Sequence, residues 1–174
     1  MKKIRLLTVL LLFVTVSATA QNMSTVIKTE ALKMARALAA LDIETYVSFT
    51  YPTLVSDNSS KEKLKQGIDS VEKYKKQFGI KVKSIVVGNP TKVVTHKKIM
   101  QCTLPQTMTV EVMMGTVETE TTLIGLSQDG RKWYFVDALL YKQKDSKDKL
   151  PELSPDLVIP PMKQPVMKPA DSKN

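Results

Sequence analysis

The spacing of apolar residues changes at Gly79, and no other feature of the chain constrains its fold as strongly. Before Gly79, apolar residues recur every three or four positions, as they do on the buried face of a helix. After Gly79, apolar and polar residues alternate, as they do along a half-buried strand. The sequence therefore predicts helices first and a series of strands after them.

Three helices are predicted before the change. Residues 22–41 carry apolar side chains at steps of four and three, which predicts one long helix. A short second helix begins with Asp42 as its N-cap and stops at the following proline. A third helix starts at a capping box formed by Ser59 and Glu62, and Gly79 ends it in the left-handed conformation. Its predicted buried stripe consists of Leu64, Ile68, Val71 and Phe78.

The strands predicted after Gly79 are short and joined by turn-like segments. "IKVKSIVV" (80–87), "TMTVEVMM" (107–114) and "VETETTLIGLS" (117–127) each alternate, and a charged hairpin tip falls near His96. "QDG" (128–130) predicts the turn into a final strand that begins at Trp133. Short strands joined by tight turns pair antiparallel, so one antiparallel sheet is expected.

The first twenty residues predict a secretory signal peptide. Lys2, Lys3 and Arg5 precede an apolar stretch, and Ala18 and Ala20 provide small residues for cleavage. The stretch is shorter than the roughly 20 apolar residues that a membrane span requires. We therefore expect an exported bacterial protein, periplasmic or extracellular, with no integral membrane segment after cleavage.

The composition limits which metal sites and which binding partners the protein can have. The chain has one cysteine, Cys102, and one histidine, His96, which together cannot complete a zinc site, so no metal and no cofactor is expected. A formal charge of +9 falls by three when the signal peptide leaves, and the remaining lysines are scattered. Scattered lysines in an exported protein indicate a solvated surface; the alternative is an anionic partner such as lipid head groups or acidic glycans, and we expect no nucleic acid partner.

The order of elements, together with two short motifs, resembles the nuclear transport factor 2-like superfamily of cystatin-like α+β cones. One motif is the aromatic-Pro-x-Leu-Val stretch that begins at Tyr51, and the other is the Ser-x-Asp-Gly hairpin that precedes Trp133, Tyr134 and Phe135. The resemblance covers about residues 23–140. It implies an α+β fold in which N-terminal helices pack on a strongly curved antiparallel sheet, with a pocket where the cone opens.

The tail differs in composition from this domain. Six of the nine prolines lie in residues 151–174, and no aromatic residue occurs there. Such a segment buries too little apolar surface to offset its chain entropy. The chain is therefore divided into a signal peptide (1–20), an α+β domain (21–142) and a proline- and lysine-rich flexible tail (143–174). "DLVIPPM" (156–162) is a candidate docking stretch, and the alternative is a tail without a partner.

The residues that could line the implied cone predict binding more readily than catalysis. Aromatic and methionine side chains adapt to apolar ligands of irregular shape, and the alternative is that they fill the core. We expect a small exported binding domain that holds an apolar molecule or a peptide; the alternative is a protein-interaction module acting through its sheet or tail. The candidate pocket residues are Tyr46, Phe49, Tyr51, Met108, Val110, Val112, Met114 and Asp137.

Asp137 is the residue on which a catalytic interpretation depends. The resemblance implies relatives that are isomerases, cyclases or dehydratases with an acidic base in the pocket, and Asp137 is the carboxylate whose burial would suit it to proton transfer. Its structural alternative is a strand-end residue in water or in an ion pair.

The last strand is apolar on both faces, so Tyr134 and its neighbours predict that its outer face is covered. The covering element could be a second copy of the chain, the long helix or the tail.

Overall fold

The computed structural model of the protein describes residues 23–143 and 147–170. The predicted signal peptide, residues 1–20, lies outside them. Helix α1 spans residues 23–40, α2 Ile43–Phe49 and α3 Asn58–Phe78, with a 3₁₀ turn at Pro52–Leu54. A final short helix, α4, spans Ala138–Tyr141. All three predicted helices are present.

The helix ends show which local signals were correct. The Asp42 carboxylate accepts a hydrogen bond from the Thr45 amide at 3.0 Å, so the predicted N-cap of α2 is confirmed. Gly79 ends α3 at a φ of 61°, also as predicted. The predicted capping box is wrong, because α3 begins earlier and Asp57 is its N-cap. The Asp57 carboxylate accepts hydrogen bonds from the amide and the hydroxyl of Ser60 and so satisfies the first turn.

Six strands form one antiparallel sheet that does not close into a barrel, so the predicted α+β class is confirmed. The order of the main path is β1-β3-β4-β5, with β2 beside β3 and β6 beside β4. The strands are β1 (Lys81–Val87), β2 (Val94–His96), β3 (Ile99–Val112), β4 (Gly115–Ser127), β5 (Tyr134–Asp137) and β6 (Val166–Pro169). The long β3–β4 hairpin is therefore the centre of the sheet, and the four short strands lie along its two edges.

Strand β3 continues through Pro105, where the sequence pattern suggested a break. A proline removes one ladder donor, and it is tolerated where no such donor is needed. Strand β1 ends at Val87, and the Gly88 amide donates to the Pro105 carbonyl at 2.8 Å. Pro105 thus lies beside the end of a neighbouring strand, where the ladder stops.

The inner face of the sheet packs against the helices. Cys102, Leu104 and Phe135 are fully buried there, and Trp133 donates its backbone amide to the Glu30 carboxylate of α1 at 3.0 Å. Only Ile68 of the predicted α3 stripe is buried, whereas Val71 and Phe78 are nearly half exposed. The stripe prediction is wrong for the second half of α3, because that half extends beyond the helix-packed core.

The outer face of the sheet is covered by the chain's own tail. We define the outer face by Gln101, Thr103, Ile124, Leu126 and Val136, all of which are buried. Four tail residues pack against it: Leu150, Leu153, Leu157 and Ile159. Within the described residues, no helix is both long enough and apolar enough to cross a membrane.

Candidate functional site

The predicted pocket residues do not come together at one place. Tyr46 and Phe49 are buried in the inner core, where they fill space beside Trp133 and Phe135. Tyr51 lies on the other side of the sheet, because the chain passes the β5 edge at Thr50, which bridges to Phe135. Its ring meets Tyr134 edge to face, with centroids 6.0 Å apart.

The methionine and valine candidates also lie in two different places, on β3 and in the turn that follows it. Met108, Val110 and Val112 lie on β3 opposite Thr119, Val117 and Gly115, and are half-buried. Met108 also pairs with Ile85 of β1 in the inner-face register. Met114 lies apart from these residues, in the two-residue turn between β3 and β4, and is 69% exposed. The hairpin turns two residues earlier than the alternation suggested, because Gly115 already starts β4.

Asp137 lies at the end of β5, on the inner face and half-buried. Its carboxylate caps α4 by accepting a hydrogen bond from the Leu139 amide at 2.8 Å. Burial raises the pKa of Asp137, and hydrogen bonds from the Leu139 amide and the Thr121 hydroxyl lower it. Burial, followed by the nearby Asp137 charge, raises the pKa of Tyr46. These contacts are those of a helix cap, and the described residues show no hydrogen bond between Asp137 and Tyr46.

A cavity of about 180 Å³ adjoins Asp137. It opens where the β4 edge has no partner, because β5 covers Leu123–Leu126 and β6 covers Gly115–Glu118. Tail residues Pro160 to Lys163 form its far wall. Pockets for drug-sized ligands usually measure ~300 Å³ or more, so this cavity suits a side chain or a few water molecules.

The outer face contains the more elaborate binding geometry. Gln101 is fully buried, and its amide contacts the tail backbone twice. Its Nε2 donates to the Glu152 carbonyl at 2.9 Å, and its Oε1 accepts from the Ser154 amide at 2.8 Å. The Thr103 hydroxyl donates to the Val158 carbonyl at 3.0 Å. Both side chains therefore bind main-chain groups of the tail, on either side of a turn in which the Leu157 amide donates to the Ser154 carbonyl at 3.0 Å.

Polar contacts fix the two ends of this segment. At its start, the Thr53 hydroxyl donates to the Lys149 carbonyl, and the Lys149 ammonium donates to the Ser60 hydroxyl at 2.9 Å. His96 and Lys97 both contact the Glu152 carboxylate, and the hydrogen bond from Lys97 is the main reason that the pKa of Glu152 is lowered. His96, at the predicted hairpin tip, thus has a partner in the tail.

The later part of the tail follows the free edge of β4. Lys163 forms an ion pair with Glu120 at 2.6 Å, and Lys168 forms one with Glu118 at 3.2 Å. Strand β6 then pairs with β4 from Glu118 to Gly115. The predicted docking stretch, residues 156–162, lies within the tail. Of the three elements that the sequence offered to cover the outer face, a second copy, the long helix and the tail, it is the tail that covers it in this structure.

Sequence reasoning missed Gln101 and Thr103, although a signal was present. In "IMQCTL" these two polar residues alternate with Met100, Cys102 and Leu104, so they share one face of an otherwise apolar strand. Buried polar groups require hydrogen-bond partners, so such a pair predicts that something polar covers the face.

Among the described residues, no group of three or more His, Cys, Asp and Glu side chains is placed to hold a metal ion. Comparison with protein-family models, with curated proteins and with solved structures gives no significant match to this chain. The function must therefore be inferred from the residues of the site and their geometry.

Proposed function

We propose that this protein is an exported, non-catalytic binding domain that holds a turn-containing polypeptide segment on the outer face of its sheet. The observation that supports this most directly is the pair of hydrogen bonds from the buried Gln101 amide to the tail backbone. Because these contacts are made to main-chain groups, they do not depend on which side chains the bound segment carries. The tail is then the occupant supplied by the chain itself.

The apolar contacts supply the selectivity in this proposal. Leu150 is 9% exposed, and Leu153, Leu157 and Ile159 are partly buried against Ile124, Leu126 and Val136. Burying a leucine or isoleucine side chain contributes about 1.5–3 kcal/mol. A segment with apolar residues at irregular short intervals and prolines between them is therefore the chemical class that this face would accept.

The resemblance to the nuclear transport factor 2-like superfamily is part of the same proposal. The element order supports it, because helices precede an open antiparallel sheet as the superfamily requires. A role as an isomerase or cyclase has less support, since the Asp137 carboxylate is engaged in capping α4.

A labelled tail peptide tests the proposal. A protease site placed within residues 144–146 allows the folded chain to be cut between Gln143 and Lys147. We expect the cut tail to remain bound and to exchange with a fluorescent peptide of residues 147–170, measured by anisotropy. A tail that stays bound but never exchanges, or a cut domain that does not bind the peptide, contradicts a binding function for this face.

Two variants make the test specific. Gln101→Glu keeps an acceptor for the Ser154 amide but sets a carboxylate oxygen against the Glu152 carbonyl in a fully buried position, so peptide affinity should fall by well over the fivefold that one lost hydrogen bond of ~1 kcal/mol causes. Thr109→Val is the matched control, because the described structure gives Thr109 no side-chain hydrogen bond to the tail. Equal affinities of the two variants would show that the Gln101 contacts are incidental.

A small apolar ligand on the inner face is the second candidate. Met108, Val110 and Val112 favour it, because they are half-buried at the end of the sheet that the helices leave partly uncovered. Native mass spectrometry of the protein purified from its own cells tests this candidate and also the predicted homodimer. An added mass that is retained on the monomer supports the ligand, and a bare monomer at several concentrations contradicts both.

A further inference from the structure

Exposed apolar side chains are concentrated at the end of the molecule where α3 stops and the β3–β4 hairpin turns. Strand β1 starts three residues after Phe78, and its first residue, Lys81, pairs with Glu111, two residues before the turn. Chain connectivity therefore brings the end of α3 and the turn to within about 20 Å of each other. We name this region the hairpin end and define it by Val71, Tyr74, Phe78, Met113 and Met114.

The turn itself is apolar where turn geometry does not require it. Met113 and Met114 are the two residues of the β3–β4 turn, and they are 86% and 69% exposed. Neither methionine has a positive φ, and Gly115 takes the positive φ of this turn, so the turn geometry accepts most residue types at positions 113 and 114 and does not call for apolar ones. Neither packing nor turn formation accounts for two methionines at this vertex.

The second half of α3 continues the same surface. Val71, Tyr74 and Phe78 recur at helical spacing and are 46%, 58% and 47% exposed. The rings of Tyr74 and Phe78 stack with their centroids 6.1 Å apart, so they present one aromatic surface. This surface adjoins the stripe through which Ile68 packs in the core.

Positive charge surrounds these apolar groups. Residues 71–83, "VEKYKKQFGIKVK", contain five lysines and one glutamate. Lys76 pairs with Glu72 and Lys83 with Glu111, so five lysines less two glutamates leave a net charge of +3 around the apolar groups. Lysines that alternate with aromatic and aliphatic residues on a protruding surface are typical of segments that lie in the interface of an anionic bilayer. The same charges disfavour self-association, since two copies of this end would bring like charges together.

We propose that the hairpin end docks on an anionic lipid bilayer. Met113 and Met114 enter the headgroup region at the vertex, the Tyr74–Phe78 surface lies at the interface, and lysines such as Lys73 and Lys81 meet the lipid phosphates. The outer face takes no part in this contact, so the inference is independent of the proposed function; only the end of the tail reaches the vertex, where the Ala170 amide donates to the Met114 carbonyl at 3.1 Å. Docking would hold the domain at a membrane surface without a membrane-spanning helix.

Vesicle flotation tests this inference. The chain beginning at Gln21 is used, because all described contacts of the fold lie within residues 23–170 and the apolar N-terminus would bind lipid by itself. Vesicles of phosphatidylcholine alone are compared with vesicles containing 30 mol% phosphatidylglycerol at low salt. We expect at least tenfold stronger partition onto the anionic vesicles, because each lysine near such a surface contributes about 1 kcal/mol, or fivefold.

Variants separate insertion from simple charge attraction. Met113→Ser with Met114→Ser should reduce partition at least fivefold, and Lys73→Gln with Lys81→Gln about twenty-five-fold. Val86→Ser is the control, because Val86 is 58% exposed and lies at the end of β1 remote from the hairpin end. Circular dichroism should show the same fold for all of them.

A labelled cysteine gives a second measurement. Met113→Cys carrying an environment-sensitive dye should shift to the blue on anionic vesicles, while the buried Cys102 remains unlabelled. The inference is overturned if the protein does not float with anionic vesicles or if the methionine variants float as well as the parent chain. It is also overturned if the methionine variants abolish a concentration-dependent dimer, seen by sedimentation, instead of lipid binding.

Discussion

Burial sets the chemistry of Cys102, the only thiol of the chain. Its side chain is fully buried in the inner core, and the desolvation of a thiolate there raises the pKa of Cys102 to about 12. The thiolate is the reactive form, so Cys102 has the environment of a small core residue. A cysteine in a strand-like run such as "IMQCTL" is usually a small buried hydrophobic residue, and Cys102 has that place in the structure.

We expect the Cys102 thiol to be inert to a disulfide reagent at pH 8 until the protein unfolds. One thiol should react on addition of denaturant, and in its absence the rate should follow the rate of unfolding. Met113→Cys provides the control, because that position is 86% exposed and should react at once. Rapid modification of the native parent chain would contradict the burial of Cys102.

Asp137 should make stability depend on pH in the direction opposite to most acidic residues. Burial raises its pKa in the folded protein, so the folded state holds this proton more tightly than the unfolded chain. The cost of the charge is absent at a pH well below 3.8, the ordinary pKa of an aspartate, and it grows as the pH rises through the folded pKa. Asp137→Asn, which retains an acceptor for the Leu139 amide, should therefore be more stable than the parent chain at pH 7.

Denaturant titrations at several pH values measure this difference. The gap between Asp137→Asn and the parent chain should close as the pH falls below about 4. Asp57→Asn serves as the opposite case, because hydrogen bonds from Ser60 lower the pKa of Asp57 to about 2. The parent chain should be the more stable of that pair at pH 7 and lose its advantage between about pH 4 and pH 2. The same sign for both variants would refute these assignments.

At the scale of elements, local signals determined the helices and the strands but not where the helix-packed core ends. Asp42 and Gly79 act through their immediate neighbours, so sequence alone identified them. The exposure of Val71 depends instead on how far the sheet and α1 extend beside α3, and no local pattern carries that information. For the same reason the alternation in "TMTVEVMM" could not show that β3 stops at Val112.

Gly115 allows β6 to pair closely with β4. Its φ is 142°, and a Cβ there would lie 2.2 Å from the Lys168 carbonyl oxygen and 2.7 Å from the Ala170 nitrogen. We expect Gly115→Ala to release residues 166–170 from the edge, because the nearest atoms are backbone atoms of the tail, and also to strain the β3–β4 turn, because L-residues rarely adopt a φ of 142°. Amide hydrogen exchange within residues 166–170 should accelerate at least tenfold.

Gly67→Ala is the matched control for that variant. A Cβ at Gly67 meets no atom within 4 Å, and alanine favours a helix over glycine by about 1 kcal/mol. It should stabilise α3 and leave exchange in β6 unchanged. Unchanged exchange in Gly115→Ala as well would show that β6 does not depend on this close approach.

At the scale of the whole molecule, the sequence predicted the inner layer and missed the outer one. In the amphipathic helices and the alternating strands, the spacing of apolar residues identifies the buried face, so their packing can be predicted from the sequence. The tail carries no such period: Leu150, Leu153, Leu157 and Ile159 are spaced irregularly among prolines. Its composition predicts an unfolded segment, and only the shape and polarity of the outer face give those residues a place to bind.

This two-layer arrangement predicts what loss of the tail does. A chain that ends at Gln143 uncovers Ile124, Leu126 and Val136, and leaves the buried amide of Gln101 without its tail partners. The inner core is built from residues outside the tail, so the shortened chain should still fold. Its newly exposed apolar face should make it self-associate and lower its free energy of unfolding by at least about 2 kcal/mol, the contribution of one buried leucine side chain.

A single substitution distinguishes the loss of one apolar contact with the outer face from the removal of the whole tail. Leu150→Ser removes one buried side chain and keeps every backbone contact of the tail, so it should destabilise the protein while leaving it monomeric. Sedimentation and denaturant unfolding of the parent chain, the shortened chain and Leu150→Ser together measure both effects. A shortened chain as stable and as monomeric as its parent would mean that the tail contributes nothing to the fold, and the outer face would then lose its claim to be a binding surface.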